Sequence, residues 1–282
     1  MQLATVHGRA ILAADSRQVY RRFDIGTAKP TQDERGRVPQ MGIDLADPTD
    51  RFSAARWASV VEGDLTQAPP NRRPIVVGGT GMYLRALFAG LFTDPTVHDD
   101  RRASLLEWLD LRSTEELRHW TTRLDSPRAH LGRVQLIRAL AVALLTGHRI
   151  SQLHETRAPM PRWIARYLVV DPGPVLHERI GQRLDAMLHG GWLDEVQSLT
   201  DVHDDAPAWK ATGYRALRQV VRGTMSLTDA REHILIETRQ FAKRQRTWFR
   251  HQLPAEHTTR VNPESSDAAS VIGDWWATVT AR

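Results

Sequence analysis

The hydrophobic positions form short dense runs in the first third of the chain and fall into helical spacing after that. Ala10–Ala14 is an apolar run ending in Asp15-Ser16, which predicts a buried strand with polar residues at its carboxyl end. Met1–Gly8 before it reads as the tail of a helix stopped at Gly8. Pro39–Pro48 reads as irregular, and Ser53 as the cap of a helix reaching about Gln67. Ile75–Val77 predicts a second buried strand, leading through Gly78-Gly79-Thr80-Gly81 into a helix that ends near Ala89. Strand, helix, strand, glycine turn, helix is the α/β pattern of a parallel sheet.

The pattern changes after Pro95. From about 99 to 157 the apolar residues keep only helical spacing: Leu105, Leu106 and Leu109, then Leu117, Trp120 and Leu124, then Leu136–Leu145, closed by Gly147. This predicts a helical insert. Tyr167–Val170 returns as a strand closed by Asp171-Pro172. Helices follow at about 174–189, 192–200, 213–222 and 228–252, then a short strand at Thr258–Val261 and a last helix near 266–279.

Composition narrows the class. The 282 residues are 41% hydrophobic and 25% charged, a soluble globular balance with room for one large domain or two ordinary ones. The net charge of +5 suits an anionic partner without requiring one. Only Lys29, Lys210 and Lys243 are lysines; every other basic residue is arginine. The absence of cysteine excludes disulfides, a thiol nucleophile and thiolate metal sites. No apolar run reaches the roughly 18 residues of a membrane span, and Met1–His7 lacks the pattern of a secretory signal. The expected location is the cytoplasm, with no membrane partner.

Two strand ends carry chemistry. Ligands in open parallel sheets sit at the carboxyl ends of strands. Asp15, directly after a buried strand, suits a general base or a metal ligand; it equally suits a helix cap or a structural acceptor. Gly78-Gly79-Thr80-Gly81 lets the backbone approach a ligand and opens a helix N-terminus that favours an anion, or is simply a tight strand–helix turn. A third feature is a basic helix. Arg239, Lys243, Arg246 and Arg250 fall on one side at about 100° per residue, with Ile234, Phe241 and Trp248 opposite. No acid occurs from Arg239 to His251, so the stripe suits a phosphodiester backbone or a diphosphate as well as a solvated face. His98-Asp99-Asp100 is a weak metal candidate better read as a solvated loop, and no metal ligands are assigned.

Several strings, in order, match one family. They are Ala14-Asp15-Ser16-Arg17-Gln18-Val19-Tyr20 with Asp24-Ile25-Gly26-Thr27-Ala28-Lys29-Pro30; Gly78-Gly79-Thr80-Gly81-Met82-Tyr83; Gly190-Gly191-Trp192-Leu193-Asp194-Glu195-Val196; Gly213-Tyr214-Arg215; and Lys243-Arg244-Gln245-Arg246-Thr247-Trp248. The chain resembles the tRNA dimethylallyltransferases over about residues 1–252. The resemblance implies transfer of a dimethylallyl group from dimethylallyl diphosphate to N6 of the adenosine 3′ of the anticodon. It implies a P-loop-NTPase-like parallel α/β core, here residues 1–94 and 164–282, with an all-helical insertion at 95–163 that grips the tRNA anticodon stem-loop. It implies a monomer that uses Mg²⁺.

Residue by residue, the resemblance makes Asp15 the general base and Thr80 a contact to the reacting adenosine. Asp15, Ser16, Arg17 and Gln18 line the nucleotide channel, and Arg183 meets the diphosphate. Arg102 and Arg138 in the insert, the stretch of Lys210, Gly213, Tyr214 and Arg215, and the stretch of Lys243, Arg244, Arg246 and Arg250 contact tRNA.

The chain departs from the family at its front. The family's first strand and Gly-rich loop ending in Gly-Lys-Ser/Thr have no counterpart, and Met1 falls inside the following helix. Such a loop cradles phosphates on backbone N–H groups. The core is therefore expected to be truncated, with the working protein beginning roughly 20–30 residues earlier, about the length of a strand and loop. A decayed paralogue that only binds RNA is the competing reading. A third reading, a prenyltransferase acting on free adenine nucleotides, needs no insert. Gln40-Met41-Gly42-Ile43-Asp44 and Val134-Gln135 also depart from the family's local strings.

Overall fold

A computed structural model describes residues 1–90, 99–156 and 163–280. The chain divides into two compact units, residues 1–88 with 163–282, and residues 89–162. The boundary expected at 94/95 and the candidate ligand His98 lie outside the described residues.

The larger unit begins with α1 (Gln2–Val6) and the fully buried strand β1 (Ile11–Ala13). β1 is central because it is apolar on both faces, which suits a strand covered on both sides. It pairs in parallel with β2 (Gln40–Met41), Ile11 opposite Gln40, and with β3 (Ile75–Val77), Ile11 opposite Ile75. Between β1 and β2 lies α2 (Gln32–Arg37), whose Thr31 cap and Glu34 side chain satisfy each other's backbone amides. These two elements correct the expectation for this region: Gln40–Met41 is strand, not irregular, and α2 was not foreseen. A two-residue strand is too short to show a period, and α2 buries nothing, so it carries no apolar stripe.

α3 (Ala54–Gln67) starts at Ser53, whose hydroxyl accepts the Arg56 amide, and buries Trp57, Val61 and Leu65 at four-residue spacing. It packs on α4 (Gly81–Phe88), where Tyr83 stacks on Trp57 at 4.7 Å between ring centres.

The smaller unit is helical: α5 (Asp99–Asp110), α6 (Thr114–Leu124), α7 (Arg133–Thr146) and α8 (Ile150–Thr156). Leu109, Leu117, Leu136 and Leu140 form its core. Gly147 ends α7 at φ 71°, where a side chain would be strained.

The larger unit resumes with β4 (Tyr167–Val170), then α9 (Leu176–His189), α10 (Trp192–Ser198), α11 (Tyr214–Val221) and the long α12 (Leu227–Gln252). β5 (Thr258–Val261) pairs in parallel with β4 as a separate two-stranded sheet, and α13 (Ala268–Thr280) follows. Leu12, Phe23, Trp57, Trp192, Trp209 and Tyr214 belong to one buried cluster. Among the described residues, no helix is long and apolar enough to cross a membrane.

Candidate active site

The carboxyl ends of β1 and β3 meet. Ala14 donates its amide to the carbonyl of Val77 at 2.8 Å, and Thr80 donates its amide to the carbonyl of Ala14 at 3.2 Å. A Cβ at Gly78 would fall 2.2 Å from the Ala14 carbonyl oxygen, so only glycine permits this approach. The Ser16 amide then donates to the Thr80 hydroxyl oxygen at 3.0 Å, and the hydroxyls of Thr80 and Ser16 lie 3.4 Å apart. The loop after β1 is thereby pinned to the start of α4.

Asp15 stands at the centre of this joint. Its Oδ1 accepts the Arg17 amide at 2.8 Å, a local turn that fixes the carboxylate. No described residue donates to Oδ2. One oxygen of Asp15 is thus a structural acceptor, and the other has no donor among the described residues. Thr80 holds the loop carrying Asp15, so its hydroxyl has a positioning task whatever else it contacts.

The glycine turn also receives α12. Gln245 donates its amide to the Gly79 carbonyl at 2.9 Å, and a Cβ on Gly81 would lie 2.3 Å from the Trp248 indole. The room left by Gly79 and Gly81 is therefore occupied by side chains of α12. The sequence pattern left that room either to a ligand or to a plain tight turn and gave no sign of Gln245, although it stands inside the matched Lys243–Trp248 string.

The basic stripe is only partly free. Arg239, Lys243, Arg244 and Arg250 are exposed. Arg246 instead pairs with Asp171, at the end of β4, and donates to the Gly173 carbonyl at 2.7 Å. Partial burial would raise the Asp171 carboxyl, but the hydrogen bonds from Arg246 and the Gly173 amide win and hold it below the usual range. Arg246 thus anchors α12 to the end of β4. Phe241, expected on the buried face, is 40% exposed with the Arg244 guanidinium over its ring. Periodicity marks a face, but burial needs a partner. Phe241 sits between the stretch that buries Ala230 and Ile234 and the one that meets the glycine turn.

Two further expectations change. Gln18 donates its amide to the carbonyls of Thr27 and Ala28 at 3.1 and 3.0 Å, so that end is spent on its own loop. Tyr214 is fully buried, its hydroxyl bonded to Glu195 and accepting the Gly26 amide at 3.1 Å. Gly213, at φ 88°, packs on the Trp192 ring. These two are corrected from RNA contacts to supports of the Asp24–Gly26 loop, which Glu195 also holds through the amides of Asp24 and Ile25. Burial, chiefly, and the Glu195 charge raise the Tyr214 hydroxyl far above its ordinary pKa, so it stays a donor. Lys210 and Arg215 of the same stretch are exposed.

Lys29 has a structural task in the same region. Its side chain is 1% exposed and its ammonium bonds Asp24 and Asp44 at 2.6 Å each and the Tyr20 carbonyl at 2.5 Å. It organises the loop and meets no polyanion.

Arg183 on α9 is exposed over a cavity of about 630 Å³ shared with Lys29, Arg35 and Asp44. Arg102, half-buried on α5, and Arg138, exposed on α7, belong to the other unit. Among the described residues, no three His, Asp or Glu side chains gather as a metal site. Around Asp15 the chain offers one carboxylate and two hydroxyls that already bond each other. That donor set does not fit a resident Mg²⁺, which binds through carboxylates together with substrate phosphates.

Comparison with known proteins gives a consistent picture. The profile described as IPP transferase matches residues 18–252. A tRNA dimethylallyltransferase of Gloeobacter violaceus is 39% identical over 257 residues, spanning 89% of this chain and 83% of its own. The solved tRNA isopentenylpyrophosphate transferase of Bacillus halodurans superposes with a TM-score of 0.68 at 28% identity, covering 98% of this chain and 89% of that one. A eukaryotic dimethylallyltransferase that acts on tRNA superposes at 0.76 with 22% identity, over 100% and 75% of the two chains, a likeness of fold.

Proposed function

The chain belongs to the IPP transferase family, and from that membership we propose that it is a tRNA dimethylallyltransferase. It transfers a dimethylallyl group from dimethylallyl diphosphate to N6 of the adenosine 3′ of the anticodon. The adenine amine is a poor nucleophile because its lone pair is delocalised into the ring. Attack therefore needs positioning, proton removal and a stabilised leaving group. The N6 lone pair forms the bond to C1 of the allyl group, the C1–O bond breaks, and diphosphate departs with its electrons. The N6 proton passes to the open oxygen of Asp15.

The observation that carries this reading is the half-occupied Asp15 carboxylate, fixed at the carboxyl end of β1 by the Arg17 amide and by the Ser16–Thr80 bond. The target base leaves its stack to reach that carboxylate. Arg183 receives the diphosphate. Mg²⁺ carried on the donor's phosphates would supply charge neutralisation there, and the proton transfer is assigned to Asp15 alone. The helical unit, with Arg102 and Arg138, takes the anticodon stem, and the exposed part of the α12 stripe follows the RNA backbone. We read the working unit as a cytoplasmic monomer.

The test is chemical. Purified protein is incubated with unmodified tRNA and dimethylallyl diphosphate, and the digested nucleosides are analysed by mass spectrometry. N6-dimethylallyladenosine formed on tRNA and not on free adenosine monophosphate is the expected product. Product on the free nucleotide alone, or RNA binding without product, contradicts the reading.

A further inference from the structure

A second cavity, of about 650 Å³, opens beside the Asp15 turn in the larger unit. Arg17, Arg51 and Lys210 line it, three cations from three separated segments of chain. None of their side chains bonds or pairs with a described residue. One acid, Asp205, stands in the same wall and is hydrogen-bonded to His203. Three cations against one carboxylate leave the concave surface net positive, which favours an anion between them. Ser53, the cap of α3, also lines the cavity.

We propose that this recess binds a backbone phosphate of the RNA next to the reacting nucleoside, and that Arg51 is one of its recognition residues. The inference rests on Asp15 marking the reacting base. Arg17 is two residues beyond Asp15, so their Cα atoms lie within about 7 Å. A nucleotide whose base reaches Asp15 therefore has its own or a neighbouring phosphate at the mouth of the recess. The diphosphate of the prenyl donor is the other anion in the reaction. The arginine assigned to it, Arg183, lines the other cavity, which assigns this recess to RNA. Sequence spacing gave no sign of Arg51, because it is a single residue in the loop before α3.

The experiment compares wild type, Arg51→Ala and Arg51→Lys as full chains. Binding of a fluorescein-labelled anticodon stem–loop RNA is followed by anisotropy over a range of salt, and the KM for dimethylallyl diphosphate is measured with the same RNA. Arg51→Ala is expected to weaken RNA binding roughly tenfold and to lower the slope of log Kd against log[salt] by about one. Arg51→Lys keeps the slope, and the donor KM does not move. An unchanged slope overturns the proposal, and a raised donor KM with unchanged RNA binding reassigns the recess to the donor. The anisotropy needs no turnover, so a wild-type chain without prenyl transfer counts against the proposed activity while the recess is still judged by binding.

Discussion

Gln245 donates its side-chain amide to the carbonyl oxygen of Gly79 across 2.9 Å, fastening the basic helix to the turn that also holds the loop of Asp15. Trp248 lies against Gly81 one helical turn later. The stripe and the carboxylate are thus one mechanical unit. Gly81→Ala forces a Cβ against a rigid indole, whereas Gly79→Ala meets the movable end of Gln245. Overpacking costs about 1–3 kcal/mol. Urea unfolding is expected to show Gly81→Ala as the more destabilised of the two. Equal stabilities would mean that α12 does not need this seat.

The loop around Lys29 predicts an acid response. Partial burial would raise the Asp44 carboxyl, but Lys29 and Arg35 outweigh it and hold its pKa below the ordinary value. A carboxylate depressed in the folded state contributes stability above its unfolded value, about 4, and loses it as pH falls through the folded value. Asp44→Asn is therefore expected to cost about 1–3 kcal/mol at neutral pH, the range for bonds to a charged partner. Denaturation curves of variant and wild type should converge on acidification. A gap that stays constant below pH 4 would contradict the pairing.

Two buried phenols make opposite predictions. The Tyr214 hydroxyl bonds Glu195 and Gly26, while the buried Tyr83 hydroxyl has no hydrogen-bond partner among the described residues. Removing a satisfied buried group leaves its partners stranded at about 1–3 kcal/mol, and removing an unsatisfied one relieves a cost. Tyr214→Phe should lower the melting temperature, and Tyr83→Phe should leave it unchanged or raise it. A drop for Tyr83→Phe would reveal a partner for its hydroxyl.

What the sequence disclosed follows from how local each feature is. The cap at Ser53, the strand Ile75–Val77 and the strand Thr258–Val261 are where the pattern puts them, because capping and apolar runs act over a few residues, but the burial expected of Ile75–Val77 is not met, Val77 being 50% exposed. The motif strings identify the family for the same reason, since order and spacing lie on one line. Burial is not local. Gly213 and Tyr214 look like loop residues free to meet RNA until Trp192, Glu195 and Gly26 close over them. Arg246 looks like its neighbours on the stripe until β4 brings Asp171 to it. Arg51 gains meaning only when folding sets it beside Arg17 and Lys210.

The central claim is that the open oxygen of Asp15 takes the proton from the adenine amine. The rate of dimethylallyl transfer by Asp15→Asn, whose amide oxygen still accepts the Arg17 amide, measured against wild type at RNA concentrations that saturate both, tests it. General-base catalysis is worth about 10²–10⁴ in rate. The variant is expected to lose at least 100-fold in turnover by that measure while RNA affinity stays within about twofold, because the phosphate contacts that dominate affinity are untouched. Turnover within tenfold of wild type in a variant that still binds RNA would remove Asp15 from the reaction.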